Sequence, residues 1–390
     1  MSSDGGVNLV TRAQRVLFSS FRIKTTFGVC RSRCSISAST PDPLVANPKK
    51  TVPLEMTKKK AWCLRLLAAL FFVSFVIYFY SYDLLQSYTG TSKSVNSSKS
   101  LCGGWLAQKW ESLNFHITRR TQLFLKLDDF FWQEHRSTLV LPYGTRGSEQ
   151  QLLQVLAVTA NYQMPASIDN LKCRTCVVIG NSFAIKNTSL GGIINTYDVV
   201  IRLNDAPVRG YEDDVGNRTT MRFFYPESAS YNPGLNNEPG TLMVFVPFKN
   251  QDLTWLKVIL YNEKRVMKGF WKPPPQIWLG DFRQIRVLDP HFLHQTAEKL
   301  LRIPIKSKNQ VHPTTGILAV FVALNYCDVV HLAGFGYPNS NNIKSPIHYY
   351  SNDTMKSMKL QNSYHDLNHE AETLKGLEES GAIFYLHPHS

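Results

Sequence analysis

Beyond its one long apolar run, this 390-residue chain contains no Asp-x-Asp. Acids stand side by side at Asp128-Asp129 and Glu212-Asp213-Asp214, where they read as solvated or capping residues. A nucleotide diphosphate bridged by a metal is therefore not favoured. No Gly-x-Gly-x-x-Gly follows an apolar strand, so a dinucleotide site is poorly supported. Only one Cys-x-x-Cys occurs, Cys173 to Cys176, and without a second pair a zinc site is not expected. No internal repeat is visible, which speaks against repeat architectures. Acids are scarce at the N-terminus: residues 1–60 hold eleven Lys and Arg against Asp4, Asp42 and Glu55, a large part of the net charge of +14.

A basic chain suggests nucleic acid as one partner class, but here the basic excess precedes an apolar run, AWCLRLLAALFFVSFVIYFYSY at 61–82, whose only charge is Arg65. At about 1.5 Å per residue that run spans roughly 33 Å, enough for a bilayer core of about 30 Å. It is longer than the apolar part of a cleaved signal, and no small-x-small cleavage site follows it. Lys58, Lys59 and Lys60 belong on the cytosolic side. The expected organisation is a cytosolic tail at 1–60, a transmembrane signal anchor at 61–82, a Ser-rich flexible stem at 83–100 and a lumenal domain at 101–390. Met56 followed by three lysines would by itself complete a short tail, so 1–55 reads as an alternative extension; a transit peptide is the lesser reading of its Ser-rich, basic stretch. Sequons at Asn96, Asn187, Asn217 and Asn352 suit lumenal exposure. So does the even number of cysteines beyond the anchor: Cys102, Cys173, Cys176 and Cys327.

Segment 101–140 suggests short helices. From residue 171 short apolar strands alternate with helices. CVVIG, DVVIRLN, MRFFYP, TLMVFVPF, QIRVLDP, DVVHLAGF and AIFYL read as strands. LTWLKVILYN, PHFLHQTAEKLL, TTGILAVFVALNYC and HEAETLKGLEESG read as helices. The pattern implies an α/β domain around a mostly parallel sheet. Ligands of such sheets lie at the carboxyl ends of strands. That places Gly180-Asn181-Ser182, Leu203-Asn204-Asp205 and GFGYP at 334–338 around one crevice.

Asn181 and Asn204 each follow a buried strand. They read either as turn formers or as amides that meet a base or ribose. Thr314, Thr315 and Gly316 open an apolar helix, and stand either as an ordinary N-cap or as a seat for phosphate or carboxylate. His348 and His365 are histidines of a polar C-terminal stretch, suited to phosphate stabilisation and proton transfer.

These segments resemble one family. Residues 173–228 are similar to the large sialylmotif of animal sialyltransferases, 312–337 to the small motif, HYYS at 348–351 to the third, and His365 with Glu370 to the very small motif. DVGNRTTMRFFYPES and KGFWKPPP resemble the branch of β-galactoside α2,3-sialyltransferases, N-acetyllactosamine type. The resemblance implies a GT-A-like (Rossmann-type) fold with helices flanking the sheet. It implies an inverting transfer of sialic acid from CMP-sialic acid to the 3-hydroxyl of terminal β-galactose on glycoproteins or glycolipids, with no metal or other cofactor, in the Golgi membrane. Asn181 and Asn204 would hold the cytidine monophosphate; Ser182, Thr314, Thr315 and Gly316 would contact the nucleotide or the sialic-acid carboxylate; Gly336 would line the pocket. His348 would bind the departing phosphate and His365 would be the base. A Cys176–Cys327 bridge is implied, which leaves Cys102 and Cys173 as a second pair. Glu370 would orient His365 or cap the following helix, and His369, unmatched, would be solvated or capping. The sequence departs from the pattern at Phe183, where relatives often have a small residue, and at Ser351, where they are often acidic. Other acceptors or linkages, and a catalytically silent glycan- or nucleotide-binding protein, are the alternatives; the pair His348 and His365 argues against the last.

Overall fold

The computed structural model describes residues 69–78, 122–130, 137–159, 162–304, 311–336, 344–354, 356 and 364–389. The chain divides into two compact units, 1–79 and 80–390. In the first, residues 69–78 form a helix whose large apolar side chains, Leu70, Phe71, Phe72 and Ile77 among them, are exposed. Ser74 Oγ donates back to the Leu70 carbonyl at 2.7 Å, so the hydroxyl is satisfied within the helix. Among the described residues no helix is long and apolar enough to cross a membrane. The expected tail, the stem and the remainder of the 61–82 anchor lie outside the described residues, as do Asn96 and Cys102.

The second unit is built on seven parallel strands: β1 Thr175–Ile179, β2 Val199–Leu203, β3 Met221–Phe224, β4 Leu242–Phe245, β5 Ile285–Val287, β6 Val329–Ala333 and β7 Phe384–Tyr385. Their order is β5-β4-β3-β2-β1-β6-β7. All seven strands expected from the sequence are present. β1 to β4 are apolar almost throughout because both of their faces are covered. Val178, Ile201, Phe223 and Val244 face one core cluster, while Val177, Val200, Phe224 and Phe245 face the other side.

The helices that matter here are α1 Glu149–Thr159, α2 Asn250–Leu260, α3 Pro290–Gln295, α4 Thr315–Tyr326 and α5 Leu367–Glu379. Every residue of α4 except Gly316 is buried. A helix apolar all round is stable only inside the protein, and Ile317, Leu318, Val320 and Phe321 fill the cluster shared with β1, β2 and β6. α1 was not anticipated, although Leu152, Val155, Leu156 and Thr159 are spaced to line one face and all are buried. PHFLHQTAEKLL is not one α-helix: α3 passes into a π-turn at Thr296–Leu300, where Leu301 N–H reaches the Thr296 carbonyl at 2.9 Å. The expected short helices of 101–140 are represented among the described residues by a 3₁₀ turn, Leu127–Phe130. Just before it, Leu125 N–H donates to Val287 O (2.9 Å) and Asp289 N–H to Leu123 O (3.0 Å), which covers the outer edge of β5.

Cys176 in β1 is disulfide-bonded to Cys327 at the end of α4, with Cα atoms 6.0 Å apart and a sequence separation of 151. Cys173 is also disulfide-bonded. Because the Cys176–Cys327 link closes so long a loop, replacing both residues by Ala should lower stability by about 2–5 kcal/mol. Thermal denaturation of the secreted domain checks this; an unchanged melting temperature would mean that the core alone fixes α4 on the sheet.

Candidate active site

The sheet order changes direction at β1, with β2 on one side and β6 on the other. Past their last paired residues the two strands touch. Gly180 N–H donates to Ala333 O (2.7 Å) and Ser182 N–H to Gly334 O (2.8 Å). A Cβ on Gly180 would lie 2.2 Å from the Gly334 oxygen, and one on Gly334, whose φ is +69°, would lie 2.5 Å from the Gly180 oxygen. Only glycine fits at either place. The segment carrying His348 then lies antiparallel across this loop: Phe183 N–H donates to Ile347 O (2.9 Å), Tyr349 N–H to Asn181 O (3.2 Å), and Ser182 stands opposite His348. Backbone hydrogen bonds thus join Ser182, Gly334 and the His348 segment. Ser182 Oγ accepts from Ala184 N–H at 3.2 Å and caps the short turn that follows.

Asn204 sits at the end of β2 with φ +56°, a conformation asparagine tolerates. Its carbonyl accepts from Arg222 Nη1 at 2.9 Å, and the same nitrogen holds Ala206 O at 2.9 Å. Arg222 is fully buried between strands, and desolvation brings its pKa down to about 10. Its register partner Arg202 braces Val215 O (2.7 Å) and Gly216 O (3.0 Å) in the same way. Neither arginine was singled out from the sequence. The signal was there: a charge at the centre of an otherwise apolar strand. The amide oxygens of Asn181 and Asn204 are both buried without a hydrogen-bond partner. A buried unsatisfied acceptor costs about 1–3 kcal/mol, so both oxygens are left to be met by a partner from outside the chain.

α4 begins beside these residues. A Cβ on Gly316 would come within 3.4 Å of the Phe335 ring and 3.8 Å of Leu203, so the helix start touches the ends of β6 and β2. Thr314 is the N-cap, its hydroxyl accepting from Ile317 N–H at 3.2 Å. That hydroxyl also donates to Glu370 Oε2 (2.6 Å), and Thr314 N–H donates to Oε1 (2.7 Å). Glu370 therefore caps α4, rather than its own helix, and both its oxygens are engaged there. Thr314 is committed to the cap, and the leading N–H groups of Thr315 and Gly316, which no intrahelical acceptor can meet, are what the helix start presents. Burial, opposed by the Thr314 hydrogen bonds, raises the Glu370 pKa to about 7. Gly336, at φ +107°, follows Phe335 on the same rim.

Two residues before Thr314, the backbone meets His365. His365 Nδ1 lies 2.7 Å from the His312 carbonyl oxygen. A carbonyl only accepts, so Nδ1 carries the hydrogen and Nε2 keeps its lone pair. Burial lowers the pKa of His365, against the raising effect of that hydrogen bond. Tyr143 OH lies 3.0 Å from His312 Nδ1 and steadies the turn. His348 is likewise lowered, chiefly by burial, while Asp353 and Asp205 act the other way. Its ring stacks on Tyr350, centroids 5.2 Å apart. Ser351 Oγ stands between His348 Nδ1 (3.4 Å) and Asp353 Oδ2 (2.9 Å). The acid expected at position 351 is thus replaced by a serine that leads to an acid two residues on. Phe183 turns its ring to the Lys186 ammonium, 5.3 Å away. His369 is neither solvated nor a cap: its Nε2 donates to Leu301 O at 2.6 Å and fastens α5 to the segment after the π-turn. Asn187, Asn217 and Asn352 are exposed. Among the described residues no group of three or more His, Cys, Asp or Glu is placed to hold a metal ion.

A glycine-lined switch point, two buried amide oxygens without partners, a helix start and two half-buried histidines are the candidate site of this fold. Residues 124–382 match the domain of glycosyltransferase family 29, the sialyltransferases, and the chain belongs to that family. It is 47% identical over 332 residues to human CMP-N-acetylneuraminate-beta-galactosamide-alpha-2,3-sialyltransferase 4, covering 84% of this chain and 98% of that one. It is 43% identical to the human type 2 lactosamine alpha-2,3-sialyltransferase over 249 residues, 63% of this chain and 74% of the relative. Among solved structures, a mammalian sialyltransferase in complex with Gal-beta-1-3GalNAc-ortho-nitrophenol superposes with a TM-score of 0.55 at 24% identity, over 72% of this chain and 94% of that one.

The Glu370 cap has a pH signature. Its folded pKa of about 7 is above the ordinary 4.5, so between those values the folded chain binds more protons than the unfolded one. Stability from this group is full below about 4.5 and is lost as pH rises through about 7. The wild-type melting temperature relative to that of Glu370→Gln should fall by several degrees from pH 5 to pH 8, at about 2–4 °C per kcal/mol. A pH-independent difference would remove the titration from the account.

Proposed function

We propose that this glycosyltransferase moves sialic acid from CMP-sialic acid to the 3-hydroxyl of a terminal β-galactose, with inversion and without a metal. The observation that carries the chemistry is the fixed tautomer of His365, whose free Nε2 and depressed pKa keep an unprotonated base available at neutral pH. The named relatives, α2,3-sialyltransferases at 43–47% identity, support the donor and the linkage.

Asn181 and Asn204 receive the cytidine and ribose on their unpaired amide oxygens, and the start of α4 faces the donor's anionic groups. Galactose O3 attacks the anomeric carbon as the bond from that carbon to the CMP phosphate breaks. The bonding electrons leave with the phosphate, and the O3 proton passes to His365 Nε2. In-line displacement inverts the centre. The departing phosphate gains charge beside His348. That charge draws His348 toward its protonated form, supported through Ser351 by Asp353, and the imidazole donates a hydrogen bond to the leaving oxygen. One phosphate is a smaller charge than the diphosphates that metals commonly bridge, so an imidazole and backbone N–H groups suffice.

We place the enzyme in the Golgi membrane as a single-pass type II protein. An exposed helix at 69–78, apolar but for Ser74 and the Tyr78 hydroxyl, lies within the 61–82 run and supports the anchor, because such a surface is unfavourable in water. The exposed sequons at Asn187, Asn217 and Asn352 suit a lumenal domain.

A secreted fragment from about residue 83, given CMP-sialic acid and N-acetyllactosamine in EDTA, should yield the α2,3-linked product. No product, or product only after metal is restored, contradicts the proposal. His365→Ala should reduce kcat by about 10²–10⁴-fold while CMP affinity stays within a few-fold of wild type. Equal loss of CMP binding would place His365 in the donor pocket instead of at the acceptor hydroxyl.

A further inference from the structure

The end of the chain has no part in the transfer chemistry above, yet one of its side chains reaches the centre of the crevice. β7 pairs with β6, and Leu386 N–H donates to Leu332 O at 2.9 Å. This carries the next residue, His387, beneath the end of β6, where it is 8% exposed. Its Nδ1 lies 2.8 Å from the Pro388 carbonyl oxygen and its Nε2 2.8 Å from the Gly334 nitrogen. A carbonyl oxygen only accepts and a backbone N–H only donates. Both ring nitrogens are therefore assigned: Nδ1 carries the hydrogen, and Nε2 offers its lone pair to Gly334 N–H.

That N–H belongs to the residue on which the crevice closes. Gly334 is held by contact with Gly180, and its carbonyl accepts Ser182 N–H at 2.8 Å. Ser182 in turn stands opposite His348. A buried N–H without an acceptor is costly enough to make its peptide rotate toward another partner, and rotation of the Ala333–Gly334 peptide would move the Ala333 carbonyl off Gly180 N–H, which it receives at 2.7 Å.

We propose that His387 is a positioning residue for the donor site: by accepting the Gly334 N–H it fixes the Ala333–Gly334 peptide, whose carbonyl receives Gly180 N–H, and so sets the placement of Asn181 and His348 against the nucleotide. This rests on the donor-site reading given under Proposed function. The neighbouring contacts of the tail, His389 stacked on Tyr385 with its Nε2 3.1 Å from Glu378 Oε2, fasten the chain end without touching Gly334.

Two amides separate positioning from mere packing. His387→Gln sets its side-chain oxygen where Nε2 stands; His387→Asn sets it where Nδ1 stands, out of reach of Gly334. In the secreted fragment, His387→Asn should raise the KM for CMP-sialic acid and the Kd for CMP about tenfold, with the acceptor KM within about twofold. His387→Gln should return both donor constants to within about threefold of wild type. His389→Ala should leave them unchanged. Equal donor constants in the Asn and Gln chains, or an Asn chain that loses melting temperature alone, overturns the inference. Should the Asn chain not be secreted, the Gln chain decides: wild-type CMP affinity is expected, and tenfold weakening overturns it. A wild-type chain that binds no CMP fails the donor-site reading itself, a result distinct from either variant's.

Discussion

β1 and β6 approach so closely beyond their paired residues that Gly180 and Gly334 touch through their backbones. Every other part of the site is hung from that contact. It turns Asn181 and Ser182 out of the sheet plane, gives the His348 segment an edge to pair with, and leaves the start of α4 packed on Leu203 and Phe335. A side chain at either glycine would separate the strands by several tenths of an ångström at least, and the crevice would lose its floor. The Cys176–Cys327 disulfide lies lower on the same strand and fixes the far end of α4, so strand and helix are registered at both ends.

Around this frame the charges are arranged by hydrogen-bond direction rather than by ion pairing. Arg202 and Arg222 are buried against backbone carbonyls, a stiff way of holding loops because each guanidinium spans several acceptors. His365 is fixed in one tautomer by a carbonyl, with the lone pair on Nε2. Glu370 closes the N-terminus of α4 from another helix and ties the segment of His365 to that of Thr314. His365 and the start of α4 are consequently one mechanical unit, joined through His312, Pro313 and Thr314. Preorganised dipoles of this kind act on charge that develops during reaction without having to move.

Much of this was legible in the sequence because its causes are local. β-branched runs bounded by turn residues mark the seven strands, and a glycine followed by asparagine at a strand end marks the crevice. The resemblance of the motifs brought His348 and His365 forward as separate groups, and the structure gives them different surroundings. What escaped depends on contacts between distant segments. The partner of Glu370 is Thr314, 56 positions away, and no spacing rule selects it over His365. The carbonyl that receives His369 comes from Leu301, after a π-turn that propensity does not foresee. Arg222 looks like an error in an apolar strand until the loop it holds is seen. α1 is different: Leu152, Val155 and Leu156 are spaced to line one helical face, a pattern that the sequence itself carries.

A crystal structure of the domain with CMP decides whether a nucleotide monophosphate lies across the ends of β1, β2 and β6. The base and ribose are expected against Asn181 and Asn204, each of whose amide oxygens gains a hydrogen-bond partner, and the phosphate beside His348. CMP bound at the opposite ends of the strands, or bound here with both amides still unpaired, would contradict that placement.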